Sequence, residues 1–537
     1  MEISVIGNSQ MNIGKADENL RELGFSNFKS NNHKNKNMLI PKNRVSFENS
    51  NHRVGFTLKA VQGDAIVAEE KANSILLTSC QSVGGVRLFV GLPLDTVSQY
   101  NTVNHERAMT AGLKALKLLG VDGVELPVWW GIVEKDNMGI YDWSGYLAIA
   151  EMVQNLGLKL RISFCFHASQ EPKISLPDWV SRVGEADPNI YFMDRSGRQY
   201  KDCLSLAVDD LPVFDSTSPI QVYQNFLESF NAIFSPFMGS TITGITVGLG
   251  PDGELRYPSF HDATTTALNN QLGVGEFQCY DKYMLSHLKQ YAEETGKPMW
   301  GLGGPHDVPK YDESPNANNF FKDDGGSWET PYGDFFLSWY SHQLVEHGNR
   351  ILSLASTVFG EIPTTISGKL PLVHSWYKTR SHPCELTAGF YNTVNRDGYE
   401  SVVEMFAKNS CRIILPGLDL SDAHQQNGSL LVQIKDSCTK QGVGMYGENS
   451  SVCRVNNGFE KIKSNLSEEK AVVSSFTYQR MGADFFSPKH FPIFTAFVRA
   501  VNQLDLDLDV DDMPDTTTTR AVETIHMRSE ALKLQTA

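Results

Sequence analysis

Between residues 86 and 480, short runs of apolar and β-branched residues alternate with stretches whose apolar positions recur at helical spacing. The pattern predicts strands over 86–92, 121–128, 158–166, 242–249, 364–368, 412–418, 442–446 and 474–478. Helices are expected between them, among others over 105–119, 143–156, 222–233, 334–356 and 399–408. Eight buried strands, each followed by a crossover, predict an α/β fold of the (β/α)8 TIM-barrel type with long insertions after the strands. A doubly wound sheet is the rival. It would place a Gly-rich phosphate turn after its first strand, and Leu92-Pro93-Leu94-Asp95 is no such turn. No repeat of 20–50 residues is visible.

The ends of the chain differ in kind from this body. Residues 1–84 are rich in Asn, Ser and Lys and carry no sustained period. From Lys29 to Lys59 the bases Lys29, Lys34, Lys36, Lys42, Arg44, Arg53 and Lys59 face the single acid Glu48. That make-up suits a plastid transit peptide, with a cytoplasmic chain and a disordered tail as the alternative. The expected division is therefore a leader over 1–84, a barrel over 85–505 and a C-terminal tail over 506–537.

Composition narrows the partners. The chain of 537 residues is 41% hydrophobic, enough for a large core, and carries a net charge of −15. An acidic surface argues against nucleic acid and against anionic membranes, whose sequence-independent attraction comes from basic side chains. No apolar run is long enough to span a bilayer. The eight cysteines are scattered without a CxxC pair, so neither a zinc site nor a disulfide framework is expected. A reduced compartment follows.

In a TIM barrel, chemistry belongs at the C-terminal ends of the strands. The fourth predicted strand runs into Gly250-Pro251-Asp252-Gly253-Glu254-Leu255-Arg256-Tyr257-Pro258, and the seventh into Met445-Tyr446-Gly447-Glu448-Asn449-Ser450. Each sets a carboxylate just past a strand. Two carboxylates on nearly opposite strands can flank a glycosidic bond, one protonating the leaving oxygen while the other acts from the opposite face. A single Glu in such a turn is more often a solvated loop residue.

These segments, together with Gly275-Glu276-Phe277-Gln278-Cys279-Tyr280, His374-Ser375-Trp376-Tyr377-Lys378-Thr379-Arg380-Ser381-His382, Glu385-Leu386-Thr387-Ala388-Gly389-Phe390-Tyr391-Asn392 and Val128-Trp129-Trp130-Gly131, closely resemble motifs of the plant β-amylases, glycoside hydrolase family 14. The likeness runs in order from about residue 86 to 504. It implies a (β/α)8 barrel acting on α-1,4-glucan or maltodextrin from the non-reducing end with inversion, and needing neither cofactor nor metal. Glu254 matches the family's general-acid position and Glu448 its general-base position. Inverting pairs lie roughly 6.5–9.5 Å apart. His167, Lys369, His374, Asn449 and Arg480 match sugar-contacting positions. Trp129 and Trp130 are expected to pack, with stacking on sugar the rival.

The departures from the pattern cluster in the site. Pro127 stands where the family has an acid that contacts the terminal glucose. The segment Ala168-Ser169-Gln170-Glu171-Pro172-Lys173 is too short for the family's Gly-rich closing loop. In Leu415-Pro416-Gly417-Leu418-Asp419-Leu420, Pro416 replaces a Thr hydroxyl and Asp419 a Glu. Asp252 stands two before the acid and Ser450 two after the base. A lid excludes water and completes a site, so its loss reduces rate rather than folding. The expectation is a catalytically inactive β-amylase-like protein of starch metabolism, regulatory or glucan-binding, associating with glucan or with another starch-degrading enzyme. The rivals are a working or slow exo-β-amylase and a protein scaffold that binds no glucan.

Overall fold

A computed structural model describes residues 85–260, 273–420, 426–450, 456–466 and 473–508. The expected leader over 1–84 and residues 509–537 of the expected tail lie outside the described residues. Among the described residues, ten strands form in chain order: β1 Arg87–Gly91, β2 Gly123–Trp129, β3 Lys159–Cys165, β4 Tyr191–Met193, β5 Gln199–Leu204, β6 Ile242–Val247, β7 Thr365–Lys369, β8 Arg412–Leu415, β9 Met445–Glu448 and β10 Val473–Tyr478. Eight of them close a barrel in the order β1-β10-β9-β8-β7-β6-β3-β2, and each of the eight overlaps one expected from sequence. Adjacent barrel strands are parallel, and closure is made where β1 pairs β10 (Leu88 opposite Phe476) and β2 (Val90 opposite Val124).

Two strand ends differ from expectation for local reasons. β8 stops at Leu415 because Pro416 has no N–H to offer the ladder. β9 starts only at Met445, because Gly442, at φ 68°, ends the preceding helix in the left-handed region. The antiparallel pair β4–β5, inserted after β3, was not anticipated. Its turn is tied by Asp194, whose Oδ1 accepts from the N–H groups of Ser196 and Arg198.

The outer helices start where their caps dictate. Pro219–Phe234 opens on a capping box, with the Ser218 hydroxyl and the Gln221 side chain each accepting from the other's backbone N–H. Pro331–Phe359 opens on Thr330 with proline at its first position. It buries Phe336, Trp339, Tyr340, Leu344 and Leu352. Side chains of this size each contribute about 1.5–3 kcal/mol on burial. The barrel interior, by contrast, is partly polar. Arg161 of β3 is 4% exposed, lies 3.7 Å over the Phe89 ring and 4.2 Å over that of Tyr446, and donates to Ser475 Oγ at 2.8 Å.

Candidate active site

The turn after β6 aims Glu254. Asp252 (φ 56°) and Gly253 (φ 80°) reverse the chain in two left-handed steps, a conformation glycine adopts freely and aspartate tolerates. The Glu254 N–H closes the turn onto the Pro251 carbonyl at 2.9 Å. Glu254 then bridges Lys369 at the end of β7, with the Leu255 N–H donating to the Lys369 carbonyl at 2.9 Å. Its carboxylate is 1% exposed, and Oε2 accepts from Arg256 Nε at 2.8 Å. Arg256 Nη2 donates to Asp252 at 2.6 Å, so Asp252 both pairs with Arg256 and stands in the turn beside the acid. Burial pushes Glu254 up to about 8. Arg256 opposes that rise, and the Asp252 charge adds to it.

Glu448 is the last residue of β9, not one past it, and is 4% exposed. Lys369 Nζ donates to its Oε2 at 3.0 Å, and Gln479 Nε2 to its Oε1 at 3.1 Å. Gln479 Nε2 also reaches Glu125 Oε1 at 2.9 Å, while Lys369 Nζ lies 3.9 Å from that same oxygen. Burial raises Glu448 against the pull of Lys369. The ammonium, though desolvation works against its charge, is held up by Glu448 and Glu125. Asn449 clamps the same corner: its amide donates to the Gln479 carbonyl at 2.6 Å and accepts from the Gln479 N–H at 2.7 Å.

Among the described residues, a cavity of about 30 Å³ lies at the strand ends, lined among others by Glu125, Pro127, His167, Asp252, Lys369 and Arg480. Neither Glu254 nor Glu448 is on its wall. One water needs roughly 10–15 Å³ of such space, so the cavity has room for about two waters. His167 is 5% exposed with no partner for Nδ1 among the described residues, and burial, then Lys369 and Arg256, push it down to about 3. Arg480 donates to the Leu92 carbonyl at 2.7 Å, and burial lowers it. Trp129 lines the cavity with its indole N–H on the Leu94 carbonyl. Trp130 is fully buried against Phe166, Trp179 and Tyr223.

His374, Asn449, Pro416, Asp419 and Ser450 are not brought to this cavity. His374 is 7% exposed and its Nδ1 lies 3.2 Å from the Leu372 carbonyl. Asp419 and Ser450 meet each other, with Ser450 Oγ donating to Asp419 Oδ2 at 2.9 Å and its N–H to Oδ1. Two departures from the family pattern thus form one contact. The loop carrying Pro416 is fixed as well: the Leu418 N–H donates to the Glu448 carbonyl at 3.0 Å, and Asn465 holds the Leu418 carbonyl. Leu418 packs so close to Gly447 that a Cβ there would sit 2.1 Å from its Cδ1. The short segment after His167 folds as a turn, Ser169 and Ile174 exchanging backbone bonds at 2.7 and 2.8 Å. Gln170 is held by both oxygens of Asp202 on β5.

Sequence reasoning missed Glu125, Gln479 and the role of Arg256. Glu125 left a signal, a charge within the apolar run Val124-Glu125-Leu126-Pro127-Val128 and on the same strand face as Pro127. Among the described residues, no group of three or more His, Cys, Asp or Glu could hold a metal ion, and no helix is long and apolar enough to cross a membrane. The described cysteines are buried free thiols.

Paired carboxylates at the C-terminal mouth of a closed eight-stranded parallel barrel are the layout of a glycoside hydrolase. The sequence model described as Glycosyl hydrolase family 14 matches residues 89–503, and the chain belongs to that family. It is similar to "Inactive beta-amylase 9" of Arabidopsis thaliana, 54% identical over 550 aligned positions covering 100% of both chains. To "Beta-amylase 2, chloroplastic" of Oryza sativa subsp. japonica it is 41% identical, over 78% of this chain and 77% of that one. Among solved structures, the catalytic domain of β-amylase from Paenibacillus polymyxa superposes with a TM-score of 0.63 at 25% identity, covering 78% of this chain and 98% of that one.

Proposed function

We propose that this protein is a non-hydrolytic β-amylase homologue of α-1,4-glucan metabolism, with a regulatory or glucan-binding role. One observation carries the reading: the cavity of about 30 Å³ found at the strand ends among the described residues has neither Glu254 nor Glu448 on its wall. Glu254 keeps the general-acid position and Glu448 the general-base position, but Glu254 Oε2 is engaged by Arg256 and both oxygens of Glu448 by Lys369 and Gln479. Pro127 offers no acceptor where the family has an acid, and the pinned turn at Ser169–Ile174 cannot close over a chain. His167, Lys369 and Arg480, which line the cavity, would meet any glucan that reached the mouth. The kinship with an Arabidopsis protein named inactive supports the same reading.

The test is maltose release from soluble starch by the purified full-length protein. No release above buffer is expected, and none from Glu254→Gln. Turnover abolished by Glu254→Gln would establish a working β-amylase instead. Calorimetry with maltohexaose separates a glucan binder from a pure scaffold, and a starch-degrading enzyme is the proposed protein partner. A plastid location is supported by the basic, acid-poor stretch from Lys29 to Lys59 and by the chloroplastic name of the rice relative. A fluorescent fusion of residues 1–84 that stays in the cytosol would refute it.

A further inference from the structure

The helix Glu106–Leu119, which follows β1, leaves one face open. Arg107, Ala111, Lys114 and Leu118 recur along it at helical spacing, and all four are exposed. Leu118, at 89%, is the most exposed large apolar side chain among the described residues. Beside it the helix Phe491–Leu508, which follows β10, runs in the same direction. The two meet at their C-terminal ends, where a Cβ on Gly120 would stand 3.1 Å from the Asn502 amide nitrogen. Arg499 is exposed on the second helix. The first helix has a single acid, Glu106, in its first turn, and among the described residues no ion pair engages Lys114, Lys117 or Arg499. In a chain of net charge −15 this is a basic face with an uncovered leucine.

We propose that this face is the docking site of the chain's own segment Asp509–Asp515. From Leu504 the sequence alternates apolar and acidic residues, Leu504-Asp505-Leu506-Asp507-Leu508-Asp509-Val510-Asp511, and it carries no base before Arg520. The charges are complementary. Asp509, Asp511, Asp512 and Asp515 would meet Lys114, Lys117 and Arg499, while Val510 and Met513 would cover Leu118. The reach agrees. Leu508 lies about 9 Å along the helix beyond Asn502, and Lys114 about 9 Å above Gly120, so the way back spans about 18 Å. Seven extended residues cover about 23 Å. Asp505 and Asp507 supply a further reason: acids in the last turn of a helix face its negative carbonyl end, which neighbouring bases offset. Helices that follow barrel strands run back from the mouth, so this face lies at the opposite end, and its occupant is independent of hydrolysis.

Zero-length crosslinking of the full-length protein with a water-soluble carbodiimide, which joins a lysine amine to a carboxylate in contact with it, tests the proposal. Peptide mapping should find Lys114 or Lys117 joined to an aspartate of 509–515 within one chain. Leu118→Asp, an exposed change that should leave thermal unfolding as it is, should cut that yield about fivefold or more. Salt at 1 M should do the same, because exposed charges are then screened beyond about 3 Å. A crosslink that ignores either change reports chance encounter and overturns the proposal. Aspartates of 509–515 joined only to other lysines, or to none, overturn it as well. So does a crosslink between isotope-labelled and unlabelled chains, which would make the face an interface between copies.

Discussion

Replacing Lys369 by methionine would leave two buried carboxylates without their shared cation. The Nζ lies 3.0 Å from Glu448 and 3.9 Å from Glu125. At an effective dielectric of about 20 these pairs are worth about 5.5 and about 4 kcal/mol before desolvation. Burying the ammonium offsets several kcal/mol of that, and removing one partner of such a cluster typically leaves a net loss of about 3–5 kcal/mol. Lys369→Met should therefore lower the urea midpoint by roughly 1 M, since a barrel of this size unfolds with a slope above about 3 kcal/mol/M. Glu448→Gln in that background should recover about 2 kcal/mol, because the amide needs no counter-ion. The experiment asks whether the carboxylates persist because the scaffold is built around them. If Lys369→Met fell within about 1 kcal/mol of the parent, Glu448 and Glu125 would not depend on it, and the ionic account of the mouth would be wrong.

The remaining predictions concern single contacts. His167, held near 3 in the fold against its ordinary 6.5, keeps the folded state from binding a proton that the unfolded chain accepts. Its contribution to stability is present above about pH 6.5 and is lost as pH falls toward 3, so His167→Asn should flatten unfolding free energies measured over pH 4–7. Glu254 acts in the opposite sense: raised to about 8, it contributes stability below its unfolded value that drains away as pH climbs toward 8. Glu254→Gln should remove that slope in the same titration. Asp419→Ala should cost about 1.5–3 kcal/mol in denaturant unfolding by releasing Ser450, with no change if the loop is held by Leu418 alone. Pro127→Asp by itself should destabilise by about 2–4 kcal/mol and give no maltose, because it adds a second buried carboxylate beside Glu125 on the wall of the same cavity. Gain of hydrolysis from that change alone would refute the non-hydrolytic reading.

Much of this protein is legible along its chain. The β-branched runs place the eight barrel strands because a strand buried on both faces needs a continuous apolar segment. The glycines and proline after β6 foreshadow the turn that carries Glu254. Only the folded chain decides what those carboxylates touch. Lys369 and Glu448 are 79 positions apart, and Gln479 and Glu125 354 apart. Barrel closure creates these contacts, and no local pattern encodes them. The same holds for Asp419 and Ser450, two substitutions that read separately as losses and meet as a hydrogen-bonded pair across 31 positions. Sequence reveals which chemical groups are present, since side-chain period and turn chemistry are local. What surrounds those groups is a matter of packing among distant segments, which no local pattern records.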